Sequence, residues 1–190
     1  MARWQPGARE RLVLAAVDLF AEHGYDATTV TQIADRAGVT KSTFFRHFPD
    51  KRELLVAGQD TLSTLLSEGI ADAPAEATPL EAVAACLRRA STAMGPMNRE
   101  LAPRLKAAIA ASKELQERDA LKSVGLANAM TTALQTRGVP TPLAHLAAEL
   151  GVLAFKQGYE SWTAMNDDSD LAPHVLAALD DLKAATAALQ

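Results

Sequence analysis

Cysteine occurs once in this sequence, at Cys86, so no disulfide can form within the chain and nothing points to an oxidising compartment. Its setting, AVAACLRRA, suits a small buried hydrophobe better than a redox group. No stretch approaches the roughly 20 apolar residues of a membrane span, and the start MARWQPGARERL lacks a continuous apolar core of the signal-peptide kind. The expected location is therefore cytoplasmic. Aromatic residues make up only 5% of the chain, β-branched residues are sparse, and no segment alternates with the two-residue period of a strand. His23, His145 and His174 are scattered without metal-binding spacing such as H-E-x-x-H. Nucleophile-base pairings, P-loops and dinucleotide fingerprints are also missing, so no catalytic chemistry, metal or cofactor is assigned.

What is abundant is Ala and Leu, within an apolar share of 48%, and that composition favours helices. The net charge of −4 hides an uneven distribution. Residues 1–52 carry eight Lys/Arg against six Asp/Glu, a balance of +2, whereas residues 53–190 carry eleven against seventeen, a balance of −6. A polyanion should be held by the N-terminal quarter and repelled by the rest.

The expected fold class is all-α, with about nine helices. Leu12, Ala15, Ala16, Leu19 and Phe20 recur at helical spacing between Ala8 and His23, and Gly24 follows as a cap. Thr29 to Gln32 reads as a capping box for a short second helix that Gly38 ends. Thr40 can cap a third helix of one or two turns, closed by Pro49. Asp50 with Glu53 then predicts a fourth helix over Lys51–Ser67. The stretch Gly69–Pro79 breaks the pattern and reads as a linker or an inter-helix loop. Further helices follow: one from a capping box at Thr78 to Glu81, one over Met97–Ala111 after Gly95-Pro96, one over Lys113–Thr136, one from Thr141 to near Met165, and one after Asp170. The acidic turn NDDSD separates the last two.

Two short capped helices joined by AGV, with a third leading in, have the layout of a helix-turn-helix. The segment VTKSTFFRHFPDK, Val39–Lys51, has the groups such a reading head needs. Lys41, Arg46, His47 and Lys51 are cationic or can donate, and Thr40, Ser42 and Thr43 offer hydroxyls. Phe44 and Phe48 supply the apolar side that fixes the small helix to its neighbours. Arg3, Arg9 and Arg11 read either as a basic arm or as a frayed terminus. Arg36 reads equally as a solvated charge or a phosphate contact.

At this point a resemblance emerges. GYDATTVTQIADRAGVTKSTFFRHFPDKRELL, Gly24–Leu55, closely resembles the signature of the TetR family of transcriptional regulators in spacing as well as residue type. The resemblance implies phosphate anchors at Thr29, Thr43, His47 and Lys51, and base-facing positions at Thr31, Lys41, Ser42 and Phe45. Many members carry tyrosine where this chain has Phe45. Without the phenol, position 45 cannot donate to the DNA backbone, although its ring can still meet a thymine methyl. Residues 1–52 are accordingly expected to form the DNA-binding domain, and residues 53–190 a helical effector-binding and dimerisation domain.

One short helix per chain makes few contacts, so two-fold pairs on a palindromic double-stranded site are expected. Ala147, Gly151, Ala154 and Gly158 form a stripe of small residues, and Leu171, Val175, Leu179 and Leu182 an apolar stripe on the next helix. These read as a homodimer surface or as core packing within one chain, and the resemblance favours the first. It also implies an effector cavity, for which Met94, Met97, Met130, Phe155, Tyr159 and Trp162 are candidate lining residues. Plain core remains the alternative for each. The function implied is a DNA-binding regulator, usually a repressor released by a small molecule. The alternative is a helical small-molecule-binding protein or enzyme with a vestigial head.

Overall fold

The computed structural model describes residues 7–55, 57–165 and 169–189. Among them the chain forms nine α-helices: α1 (Ala8–His23), α2 (Val30–Arg36), α3 (Lys41–His47), α4 (Gln59–Ala71), α5 (Pro79–Ser91), α6 (Pro96–Ala111), α7 (Lys113–Thr136), α8 (Thr141–Ala164) and α9 (Leu171–Ala187). No described residue lies in a strand, and no helix is long and apolar enough to cross a membrane. Arg3 and the centre of the acidic turn, Asn166 to Asp168, lie outside the described residues.

The expected helix over Lys51–Ser67 is corrected. Asp50 does cap, its Oδ1 accepting from the backbone N–H of Arg52 at 2.8 Å and of Glu53 at 3.2 Å. What it caps is a single 3-10 turn, Arg52–Leu54. Gly58 then adopts φ 87°, a left-handed conformation cheap only for glycine, and α4 starts afresh at Gln59. The same helix runs through Gly69 and Ile70, so only residues 72–78 remain as a loop between α4 and α5. Gly69 is small because a Cβ there would meet the Cα of Cys86 at 2.5 Å. Arg137, just past the end of α7, reaches to the end of α4, donating to the carbonyls of Ile70 at 3.1 Å and Ala73 at 2.8 Å.

By packing, the chain divides into two compact units. Among the described residues, the first comprises those up to 57 together with 101–121, and the second comprises 58–100 together with those from 122 onward. The first unit closes around Leu12, Leu19, Phe20, Ile33, Phe44, Phe48 and Leu115, all almost fully buried. In the second, Val83 and Leu87 of α5, Met130 and Leu134 of α7, Ala144 and Ala148 of α8, and Leu171 and Val175 of α9 form one core. Burial of this kind, roughly 25 cal/mol per Å² of apolar surface, is what holds each unit.

The stripe of small residues on α8 belongs to that second core. Ala147 and Ala154 are buried, a Cβ at Gly151 would meet Val83 Cγ1 at 2.8 Å, and one at Gly158 would meet the Cα of Val175 at 2.4 Å. Leu171, Val175 and Leu179 on α9 are buried against it, and Leu182 packs at the edge of the same cluster. The intramolecular alternative is therefore the one realised. What α8 leaves exposed is a different face, with Leu143, Leu146 and Leu153 each more than 40% accessible.

Candidate nucleic-acid interface

The head is assembled from caps outward. Gln32 N–H donates to the Thr29 hydroxyl at 3.2 Å, and Gln32 Oε1 accepts from Thr29 N–H at 2.8 Å, which is the expected capping box of α2. At the other end of α2, Val39 N–H returns to the carbonyl of Ala34 at 2.9 Å, and Gly38 takes φ 66° to make that turn. Thr40 caps α3 by accepting from Thr43 N–H at 3.1 Å, and its hydroxyl lies 3.0 Å from that of Thr43.

The seven residues of α3 and its C-cap, Phe48, divide between a buried and an exposed side. Phe44 and Phe48 are 0% and 2% exposed, with ring centroids 5.8 Å apart, and they anchor the helix inside the first unit. Lys41, Ser42, Phe45 and Arg46 are exposed, and Thr43 and His47 are half-buried. Thr29 and Thr31 at the start of α2 are also exposed, as is Thr40. The candidates of α2 and α3 thus lie in one unit, on two short consecutive helices whose buried sides face the same core.

Lys51 stands apart from this group. Its Nζ donates to the carbonyl oxygens of Tyr25 at 2.6 Å and Thr28 at 2.9 Å, and lies 3.8 Å from the centroid of the Tyr25 ring. Burial lowers its pKa, opposed by the charges of Glu114 and Asp26. The ammonium therefore ties the α1–α2 turn to the segment that follows α3. Two of its three protons are spent on that tie.

Several residues that sequence reading passed over complete the frame. Thr28 is buried and donates to the carbonyl of Gly24 at 2.8 Å. The Tyr25 hydroxyl donates to Glu114 Oε1 at 2.9 Å, and burial together with that carboxylate raises its pKa. Arg118 pairs with Glu53, and Arg104 lies 2.5 Å from Asp18. The chain separations, 89 residues for Tyr25 and Glu114, leave no local pattern that could have revealed them. Arg9 and Arg11 are not an arm: both belong to α1, Arg9 over the Phe48 ring at 5.2 Å and Arg11 donating to the carbonyl of Ala37 at 3.0 Å. Arg36 makes a two-pronged pair with Glu22, at 3.0 and 2.8 Å, which holds the Glu22 carboxyl below its ordinary value.

Among the candidate effector-lining residues, Phe155, Tyr159 and Trp162 come together on α8, with centroids 6.2 and 5.7 Å apart in sequence. The Tyr159 hydroxyl donates to the carbonyl of Asn98 at 2.9 Å, and the Arg99 guanidinium lies 4.8 Å from the Trp162 ring. Met94 is half-buried and Met97 is 36% exposed nearby in sequence. Met130 is separate from them. It is 1% exposed, with its sulfur 3.8 Å from that of Cys86, and it is part of the core.

An all-helical body carrying an N-terminal helix-turn-helix defines the class of protein. Residues 12–57 match the family described as bacterial regulatory proteins, tetR family. The transcriptional regulator TcmR of Streptomyces glaucescens is 35% identical over 80 residues, which is 42% of this chain and about a third (35%) of the length of that relative. Over nearly the whole chain the fold is that of two solved structures. One is a SmeT complex with triclosan, with TM-score 0.63, 23% identity, and 94% and 90% of the two chains covered. The other is FadR of Bacillus subtilis with stearoyl-CoA, with TM-score 0.58, 21% identity, and 90% and 95% covered. The tetR-family match thus covers the helix-turn-helix head, residues 12–57, and the rest of the chain shares the fold of the two solved structures.

Proposed function

We propose that this chain is a DNA-binding transcriptional regulator, a repressor that a small-molecule effector releases from a palindromic operator. The observation that carries the reading is the split of α3: two phenylalanines clamp it to the head while Lys41, Ser42, Phe45 and Arg46 remain exposed. A helix of this length enters the major groove with few side chains, so phosphate contacts supply much of the affinity. Lys41, Ser42, Phe45 and Thr31 face base edges. Thr29, Thr40, Thr43, Arg46 and His47 serve the phosphates. Lys51 orients the turn that presents Thr29, with one proton left for a phosphate oxygen.

Two such heads must be held at a fixed spacing, which calls for a homodimer. The surface that suits it is the exposed face of α8, Leu143, Leu146 and Leu153, with the exposed alanines of α9, Ala177 and Ala184. Two copies related by a two-fold axis would bury these leucines in a four-helix contact. Phe155, Tyr159 and Trp162 with Met94 and Met97 are the residues we assign to effector binding, because they combine apolar area with the polar edges of Asn98 and Arg99. The triclosan and stearoyl-CoA of the two structural relatives support a small-molecule effector with a large apolar part. An effector switches the protein only by favouring one spacing of the heads over another. Such a regulator acts in the cytoplasm and needs no catalytic group.

The test is footprinting on the DNA upstream of the coding region of this chain, at several salt concentrations. A protected palindrome whose affinity falls steeply with salt is the expected result. No protection of any fragment at low salt would overturn the reading.

A further inference from the structure

The Glu114 carboxylate is a group of the first unit to which the proposed function gives no part. It lies in the opening turn of α7, beside Leu115, whose side chain is buried in the core of the head. Two head residues meet it there. Its Oε1 accepts from the Tyr25 hydroxyl at 2.9 Å and lies 3.5 Å from the Nε of Arg52, which also pairs with Asp50 at 2.6 Å.

The Tyr25 ring connects that carboxylate to Lys51. The ring is 5% exposed, Phe20 meets it edge-on at a centroid distance of 5.1 Å, and the Lys51 ammonium stands 3.8 Å from its centroid. The same ammonium donates to the carbonyl oxygens of Tyr25 and Thr28, and Thr28 directly precedes Thr29, the N-cap of α2. Ring and carbonyls together locate the cation. A phenol that donates to a carboxylate has its hydroxyl end fixed, and the polarised O–H enriches the ring face that attracts the ammonium. Moving the ring therefore turns the third Lys51 proton, and a hydrogen bond weakens steeply once its angle opens. Glu114 itself is 46% accessible in its side chain, so its ion pairing adds little to stability.

We infer that Glu114 is a positioning residue for DNA binding: through the Tyr25 hydroxyl it seats the ring under the Lys51 ammonium, and so aims the remaining Lys51 proton at one phosphate of each half-site. This deepens the proposed DNA-binding function and rests on it. Glu114 touches no DNA, and its effect is confined to the phosphate that Lys51 reaches.

The experiment reads the phosphates one at a time. The purified full chain selects duplexes from a random library, and each phosphate of the recovered half-site is then replaced by a neutral methylphosphonate. The Lys51 phosphate is the one whose replacement weakens binding to the parent chain, by about tenfold, but not to Lys51→Met. At that phosphate the penalty should also shrink in Glu114→Ala and in Tyr25→Phe, and no further when the two are combined. Penalties at the other phosphates should stay as in the parent chain. Glu114→Gln, whose amide oxygen can still accept from the phenol, should restore the penalty. An unchanged penalty in Glu114→Ala, an equal reduction at every phosphate, or Glu114→Gln behaving like Glu114→Ala overturns the inference while leaving the DNA-binding function standing. So does a half-site with no phosphate that answers to Lys51. Recovery of no duplex at all overturns both.

Discussion

The Lys51 ammonium sits 2.6 Å from the carbonyl oxygen of Tyr25 and 3.8 Å from the centroid of the same residue's ring, so one side chain is gripped at both its backbone and its face. A charged hydrogen bond of this kind contributes about 1.5–3 kcal/mol. Lys51→Met keeps the aliphatic stem and loses the charge. It is expected to destabilise the head by about 2 kcal/mol, read by urea denaturation with Tyr25 fluorescence or by hydrogen exchange of α1 and α2. Unchanged exchange in those helices would remove Lys51 from the role of a structural tie.

Lys41 is exposed on the outer face of α3 and should behave in the opposite way. Lys41→Met is expected to leave unfolding unchanged, to weaken operator binding and, if the ammonium also neutralises a phosphate, to flatten the salt dependence by about one ion. Affinity measured at three or more salt concentrations distinguishes the two lysines. Equal loss of stability in both variants would contradict their separate placements.

Glycines of the second unit differ sharply in what they tolerate. A Cβ at Gly158 would stand 2.4 Å from the Cα and 2.6 Å from the N of Val175, both backbone atoms that cannot step aside. Gly158→Ala is expected to cost about 3 kcal/mol, lowering the midpoint of thermal unfolding by roughly 6–12 °C. At Gly125 the obstacle is the Nε2 of Gln59 at 2.5 Å, the end of a flexible side chain. Gly125→Ala should therefore be neutral or stabilising by up to about 1 kcal/mol, as expected inside a helix. Thermal scans of the two variants side by side decide it.

The exposed leucines of α8 make a direct test of pairing. Leu146 is 54% accessible, so Leu146→Glu should fold like the parent chain yet remain monomeric in sedimentation velocity. With its two heads no longer linked, it should lose most of its affinity for a palindrome while keeping weak binding to a half-site. A dimer of unchanged stability would move the interface elsewhere.

Both tyrosines prefer to stay neutral in the fold. Burial, first, and then Glu114 raise the Tyr25 phenol, and burial raises that of Tyr159 to about 12 from an ordinary value of 10.0. A raised folded pKa means stability that is complete below pH 10 and lost as the pH climbs through the folded value. Lys51 runs the other way, because its lowered pKa lets stability rise with pH until the unfolded side chain also loses its proton near 10.5. The net expectation is a fall in stability above pH 10.5, with no phenolate absorbance from the folded chain at pH 10. Phenolate appearing there at the level of the unfolded chain would refute it.

Much of the head was legible along the chain because its signals are local. The Thr29–Gln32 box, the Gly38 turn and the burial of Phe44 and Phe48 depend on residues within a few positions of one another. Where a local signal was ambiguous, it misled. Asp50 caps as expected, but a cap cannot say whether an α-helix or a 3-10 turn follows, and Gly58 decided that. Met130 looked the same as Met94 in sequence, and only the packing of α7 against α5 and α8 placed it in the core.

The amino-acid order alone determined the helical class, the reading head and the division of charge between N-terminal quarter and remainder, since caps, periodicity and composition act over one or two turns. Tertiary structure decided which face of each helix is spent inside the chain. The stripe of small residues on α8 could serve an approach by a partner or by α9, and the 2.4 Å between a Gly158 Cβ and Val175 assigns it to α9. Likewise the tie from Tyr25 to Glu114 spans 89 residues, and no pattern of spacing encodes a contact that exists only once the chain has closed on itself.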